Sequence, residues 1–166
     1  MIPDLEPFEG YLARLRKADG RPSWIEYGLG AAAHATTRAD CRRSKVGAAL
    51  MEPDHSVTLT GYNGAPAGGP SCLLGECPRG LLSYEEIEGL TTSYDTGPGA
   101  CVALHAEQNV CLRASWTQMR GSTLFSTREP CPGCRRMMTG TPLAYAIWPG
   151  TTARIVNGRF LPERWS

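Results

Sequence analysis

Apolar and polar positions alternate along this chain with two different periods, and the changes of period delimit its elements. Residues 4–17 read as a short helix ended by Ala18-Asp19-Gly20. Ser23 then precedes Trp24-Ile25-Glu26-Tyr27, with Glu26 three residues after the serine, the spacing of a capping box. A helix is predicted from there to about residue 38, its Ala31, Ala32, Ala33 and Ala35 suited to close packing on a sheet. Lys45-Val46-Gly47-Ala48-Ala49-Leu50-Met51 is short and apolar, Glu52-Pro53-Asp54-His55 is turn-rich, and Ser56-Val57-Thr58-Leu59-Thr60-Gly61-Tyr62 alternates with β-branched residues; the pair predicts a hairpin. Residues 63–70 form a Gly/Pro loop, and 71–104 show no clean period. An insertion that long inside one domain needs a reason, such as a metal clip or a functional lid. Beyond it, a helix is predicted from His105 to about Trp116, a strand over 122–127, a helix from Cys131 stopped by Gly140 and Pro142, and a strand over 143–148.

Strands alternating with helices predict an α/β layered domain with parallel pairing where helices cross over. The 166 residues suffice for one domain with a proper core, taken here as 1–166 with 71–104 as its insertion. Seventeen basic and 16 acidic residues leave a formal net charge of +1, so no strong field favours a nucleic acid or a membrane surface. No apolar run approaches a membrane span, and Met1-Ile2-Pro3-Asp4-Leu5-Glu6 lacks the pattern of a signal peptide; the cytoplasm is the expected compartment. Seven cysteines, an odd number, with one CxxC pair, argue for reduced thiols and metal ligation rather than a disulfide framework.

The candidate chemistry is split between His105-Ala106-Glu107 and Pro130-Cys131-Pro132-Gly133-Cys134. One histidine and two cysteines supply three ligands to tetrahedral zinc and leave a fourth position for water. Glu107, two residues beyond the histidine, can shuttle that water's protons without ligating the metal. The two halves match the signature of zinc-dependent nucleobase deaminases, whose nucleophile attacks C4 of cytosine or C6 of adenine. Both fall where a helix starts, so the macrodipole is expected to favour thiolates at Cys131 and Cys134. A closed structural zinc knuckle would need a fourth protein ligand and would give neither Glu107 nor Pro130 a role.

From Arg21 to about Trp148 the chain resembles the deoxycytidylate deaminases of the cytidine deaminase superfamily. The resemblance is carried by Arg21-Pro22-Ser23-Trp24, Cys41-Arg42-Arg43-Ser44-Lys45-Val46-Gly47-Ala48, Gly61-Tyr62-Asn63-Gly64-Ala65-Pro66, a Gly-rich loop ending in Cys72, His105-Ala106-Glu107-Gln108-Asn109 and Pro130-Cys131-x-x-Cys134. It implies a three-layer cytidine-deaminase-like fold, with a mixed sheet of about five strands flanked by helices. It also implies the conversion of dCMP and water to dUMP and ammonia, with Glu107 catalytic and zinc on His105, Cys131 and Cys134.

By the same resemblance Asn63 meets the sugar of the substrate. The Ala106 peptide, lying between ligand and shuttle, is expected to meet the pyrimidine. Arg42, Arg43, Ser44 and Lys45, which precede the first strand, are candidates for a 5′-phosphate, arginine giving bidentate and lysine point-charge contacts. The alternatives are an ordinary turn asparagine and a solvated basic loop. Cys41, Cys72, Cys77 and Cys101 are candidates for a second, structural zinc, against four reduced cysteines without metal. Cys111 reads as a core residue, His34 as a helix-face residue and His55 as a turn residue. The implied partners are a small-molecule nucleotide and further copies of the chain in a homo-oligomer, not nucleic acid or a membrane. Residues 149–166 depart from the family, which puts the fifth strand and the subunit contacts in doubt. Rival readings are a deaminase of a modified cytidylate or of a tRNA adenosine, and a non-catalytic zinc-binding module.

Overall fold

A computed structural model describes residues 8–89, 94 and 96–165. The predicted first helix therefore enters as α1 (Phe8–Arg16), and its expected start at residue 4 lies outside the described residues. α2 (Trp24–Ala35) begins as the sequence indicates: Ser23 Oγ accepts the Glu26 N–H, and the Glu26 carboxylate accepts the Ser23 N–H at 2.7 Å. A 3-10 turn over Thr36–Arg38 completes the predicted length. β1 (Gly47–Met51) and β2 (Val57–Tyr62) form the antiparallel hairpin, turning through His55 at φ 69°.

The described residues of the insertion contain two short helices, α3 (Pro78–Leu81) and α4 (Tyr84–Gly89), which lack the length to produce a readable period. α5 (Ala106–Arg113) stops short of the predicted Trp116. Ala114 and Ser115 leave the helical region, and Ser115 caps a separate α6 (Trp116–Met119) through the Gln118 N–H at 3.1 Å. A capping box at Ser115 thus follows the end of one helix and begins the next. β3 (Thr123–Ser126), α7 (Pro132–Thr139) and β4 (Tyr145–Trp148) follow as expected.

The sheet has six strands rather than about five. Beyond β4 the chain turns at Gly150 into β5 (Thr151–Val156) and, through Asn157-Gly158, into β6 (Arg159–Arg164). The strand order is β2-β1-β3-β4-β5-β6. The fifth strand placed in doubt is present, and Asn-Gly is a two-residue hairpin turn that tolerates the positive φ found at both positions. β3 and β4, joined across α7, make the one parallel pair among these strands.

β1 and β3 are buried on both faces, so their residues alternate between two cores. Ala48, Leu50 and Leu124 face Ala106, Val110, Cys134 and Met138 of α5 and α7. Ala49, Met51 and Phe125 face Tyr11, Leu15, Ile25 and Ala32 of α1 and α2. The result is three layers, with the two motif-bearing helices together on one face. Among the described residues no helix is long and apolar enough to cross a membrane.

Candidate active site

His105 is the residue before α5, and the Gln108 side chain accepts its backbone N–H at 2.7 Å. The imidazole meets Cys131 and Cys134 at the start of α7. Glu107, in the first turn, is 3% exposed and points into the domain between α5 and the sheet. Its Oε1 accepts the hydroxyl of Ser126, the last residue of β3, at 2.9 Å. Its Oε2 lies 3.7 Å from Cys134 Sγ. Buried carboxylates require such partners.

Cys131 caps α7, its sulfur accepting the Cys134 N–H at 3.4 Å. The two sulfurs lie 3.4 Å each from His105 Nδ1, and the three donor atoms are all within 4.8 Å of one another. With the usual zinc bond lengths, a tetrahedral site has nitrogen–sulfur edges of about 3.5 Å, so this triplet fits zinc without rearrangement. It is the one group of three or more His, Cys, Asp or Glu donors gathered this closely among the described residues.

The helix start does not by itself ionise the Cys134 thiol. Burial first, then the nearby Glu107 charge and Cys131, push the Cys134 thiol far above its ordinary range. The expected macrodipole effect is outweighed, and a cation at the triplet is what the thiolate needs.

α5 sits unusually close to the hairpin. A Cβ at Gly61 of β2 would come within 2.5 Å of the Ala106 carbonyl oxygen, and 2.7 Å of the Val110 side chain. Asn109 of α5 donates to the Tyr62 carbonyl at 2.7 Å, and Gly64 bridges to Leu104 just before His105. Glycine at 61 is therefore what lets the helix bearing His105 and Glu107 lie against the strand that leads to Asn63. Ala106, fully buried, is the first residue of α5, and its N–H is among those a helix cannot satisfy internally.

The other expected substrate contacts are tied to neighbouring backbone. Asn63 Oδ1 accepts the Val46 N–H at 2.7 Å and its Nδ2 donates to the Ser44 carbonyl at 2.8 Å. Arg43 donates to the carbonyls of Arg79 and Leu82 and lies over the Tyr84 ring. Lys45 is exposed. Ser44 Oγ accepts from Arg128, a residue sequence reasoning passed over, as it did Ser126 and Tyr94. The Tyr94 ring meets that of His105 edge-on at 5.6 Å. None of the three belongs to a recognisable motif; each is made relevant by a long-range contact.

Cys72 and Cys77 are buried, Cys41 and Cys101 half-buried. Cys77 contacts both Cys72 and Cys101, and Cys41 is close enough for its charge to act on Cys72. Backbone N–H groups point at all four sulfurs: those of Arg43 and Ser44 at Cys41, Arg42 at Cys72, Gly80 and Val102 at Cys77, and Ala103 at Cys101. The four do not form a triplet within 4.8 Å, unlike the His105 site. Cys111 packs against the core as expected, and burial pushes its thiol up to about 12.

A three-layer sheet carrying a His/Cys/Cys triplet and a buried glutamate at two helix starts defines a deaminase-type hydrolase site. Residues 22–145 match the family described as the cytidine and deoxycytidylate deaminase zinc-binding region. The deoxycytidylate deaminase of Mycobacterium phage D29 is 43% identical over 129 residues, covering 78% of this chain and 96% of that protein. The deoxycytidylate deaminase of Schizosaccharomyces pombe is 33% identical over 76% of this chain, which spans only 38% of that longer protein. The apo crystal structure of a dCMP deaminase from cyanophage S-TIM5 matches with a TM-score of 0.50 and 25% identity, covering 77% of this chain and 83% of that one. The chain belongs to the cytidine and deoxycytidylate deaminase family and is a deaminase enzyme.

Proposed function

We propose that this protein catalyses hydrolytic deamination of dCMP to dUMP and ammonia, with zinc held by His105, Cys131 and Cys134. The observation that carries this reading is the Glu107 carboxylate. One oxygen is anchored by Ser126 and the other lies 3.7 Å from Cys134 Sγ, one of the three donor atoms, beside the position where a proton-transfer group is needed. When bound, zinc supplies a water acidified toward neutrality. Glu107 Oε2 accepts that water's proton and passes it to ring N3, and later delivers a proton to the departing amino group. Oε1, held by Ser126, keeps the carboxylate aimed through both transfers. The Ala106 N–H, which α5 cannot satisfy internally, is assigned to the pyrimidine. Asn63 retains one amide hydrogen and one lone pair for the sugar beyond its two backbone bonds.

A second zinc on Cys41, Cys72, Cys77 and Cys101 is part of the proposal. What supports it is the convergence of backbone N–H groups on all four sulfurs; burial still pushes the Cys72 thiol up to about 11 and raises that of Cys101, so thiolates there call for a cation. Such a clip explains how a long irregular insertion keeps its place. A cytoplasmic homo-oligomer acting on free nucleotides remains the expected setting.

The test is ammonia release from a panel of nucleotides, nucleosides and tRNA. Turnover of dCMP is expected, with Glu107→Gln keeping its zinc and losing roughly a hundred- to ten-thousandfold in rate. Activity on tRNA with none on dCMP would sink the assignment, and an unaffected rate in Glu107→Gln would remove Glu107 from the proton transfers.

A further inference from the structure

Four polar residues precede β1, and the two arginines among them are occupied within the fold. Arg42 donates to the Leu73 carbonyl at 3.1 Å. Arg43 reaches the Arg79 carbonyl through Nε and Nη2, at 3.2 and 3.1 Å, and the Leu82 carbonyl as well. Its guanidinium also sits 4.8 Å from the Tyr84 ring centre. Arg43 thus pins the insertion to the start of β1. A phosphate taking its donors would leave carbonyls of the insertion unpaired.

Arg128 is placed differently. It lies two residues beyond Ser126, so the chain separates it by at most about 7 Å from the residue that anchors Glu107. Its Nη1 donates to Ser44 Oγ at 3.0 Å, and the side chain is otherwise exposed. Among the described residues no carboxylate pairs with it, because the adjacent Glu129 is paired with Arg135. The two loops are laced together around this contact. Gly47 N–H donates to Thr127 Oγ1 at 3.1 Å, and the Ser44 carbonyl accepts from Asn63. Arg128 and Ser44 therefore meet beside Asn63, with exposed Lys45 next to Ser44 in the chain and Ser126, the anchor of Glu107, two residues before Arg128.

We propose that Arg128 is the residue that distinguishes a nucleotide from a nucleoside here, gripping the 5′-phosphate with Ser44 Oγ and Lys45 beside it, while Arg43 is structural. The inference rests on the nucleotide reading above. An arginine fork matches two phosphate oxygens at once, and a second cation beside it suits a group carrying between one and two negative charges. The short link to Ser126 ties recognition of the phosphate to placement of the proton shuttle through a single strand end.

The experiment compares Arg128→Ala, Arg128→Lys and Arg43→Ala in the zinc-loaded protein, using steady-state rates with dCMP and deoxycytidine, and equilibrium binding of dCMP in a Glu107→Gln background. Arg128→Ala should raise KM for dCMP about ten- to a hundredfold more than for deoxycytidine, with kcat for dCMP moving far less, and Lys should restore part of the loss. Equal penalties on both substrates, or a phosphate-specific loss in Arg43→Ala instead, overturn the assignment. Should wild type bind dCMP through Arg128 yet not deaminate it, the phosphate grip stands and the dCMP reaction falls. Should dCMP turn over but ignore Arg128, the reverse holds; failure to bind dCMP at all overturns both.

Discussion

The Ser126 hydroxyl donates to Glu107 Oε1 across 2.9 Å, joining the end of β3 to the first turn of α5, with both side chains buried. A carboxylate that must take and return a proton benefits from one fixed oxygen, because the other then keeps its aim. Ser126→Ala should lower kcat by about tenfold with zinc content unchanged, and Ser126→Thr should recover part of it where the methyl fits. Rates and metal analysis on the same preparation check this; a variant with full kcat would remove Ser126 from the mechanism.

The close approach at Gly61 predicts an effect on catalysis from a residue that touches no substrate. Gly61→Ala places a methyl against the Ala106 carbonyl, which is backbone and cannot rotate aside. We expect about 1–3 kcal/mol of destabilisation in urea unfolding, with a drop in kcat beyond what the loss of folded protein explains, since α5 carries both Glu107 and the His105 junction.

Metal analysis should find about two zinc ions per chain. Cys134→Ser should remove the one needed for turnover, and Cys72→Ser the other, leaving about one. A wild-type value of one would refute the insertion site. The sign with pH follows from the raised Cys134 thiol: zinc uptake must release its proton, so apparent affinity rises with pH and weakens on acidification. Competition with a chelator at several pH values measures it.

Cys111 offers a pH test away from the metal. Burial, aided by the Glu107 charge, raises its thiol from 9.0 to about 12. A raised value means the native state holds the proton more tightly than the unfolded state. The contribution is therefore fully present below about pH 9 and is lost as pH climbs toward 12, by at most about 1.4 kcal/mol per pH unit. Urea midpoints of wild type should fall more steeply over that window than those of Cys111→Ala; parallel curves would contradict the burial of this thiol.

Local chemistry carried most of the element boundaries. The Ser23/Glu26 box, the β1–β2 alternation and the Cys131 helix start are each written within a few residues, and each has the predicted form. The misreadings occur where a local signal was weak or had a competitor. Ser115 and Gln118 form a capping box that interrupts the predicted helix, and Asn157-Gly158 begins a hairpin past the family resemblance.

What the amino-acid sequence determined by itself was the donor set and its chemistry, because ligand types and their spacing around helix starts need no knowledge of distant contacts. Tertiary structure alone decided which groups stand around that set. Ser126 is 19 residues from Glu107, and Arg128 is 84 from Ser44. Strand pairing and helix packing created both contacts, and no period or motif encodes them. The same closure assigned Arg43 to the carbonyls of the insertion, because a guanidinium binds whichever acceptors folding brings within reach.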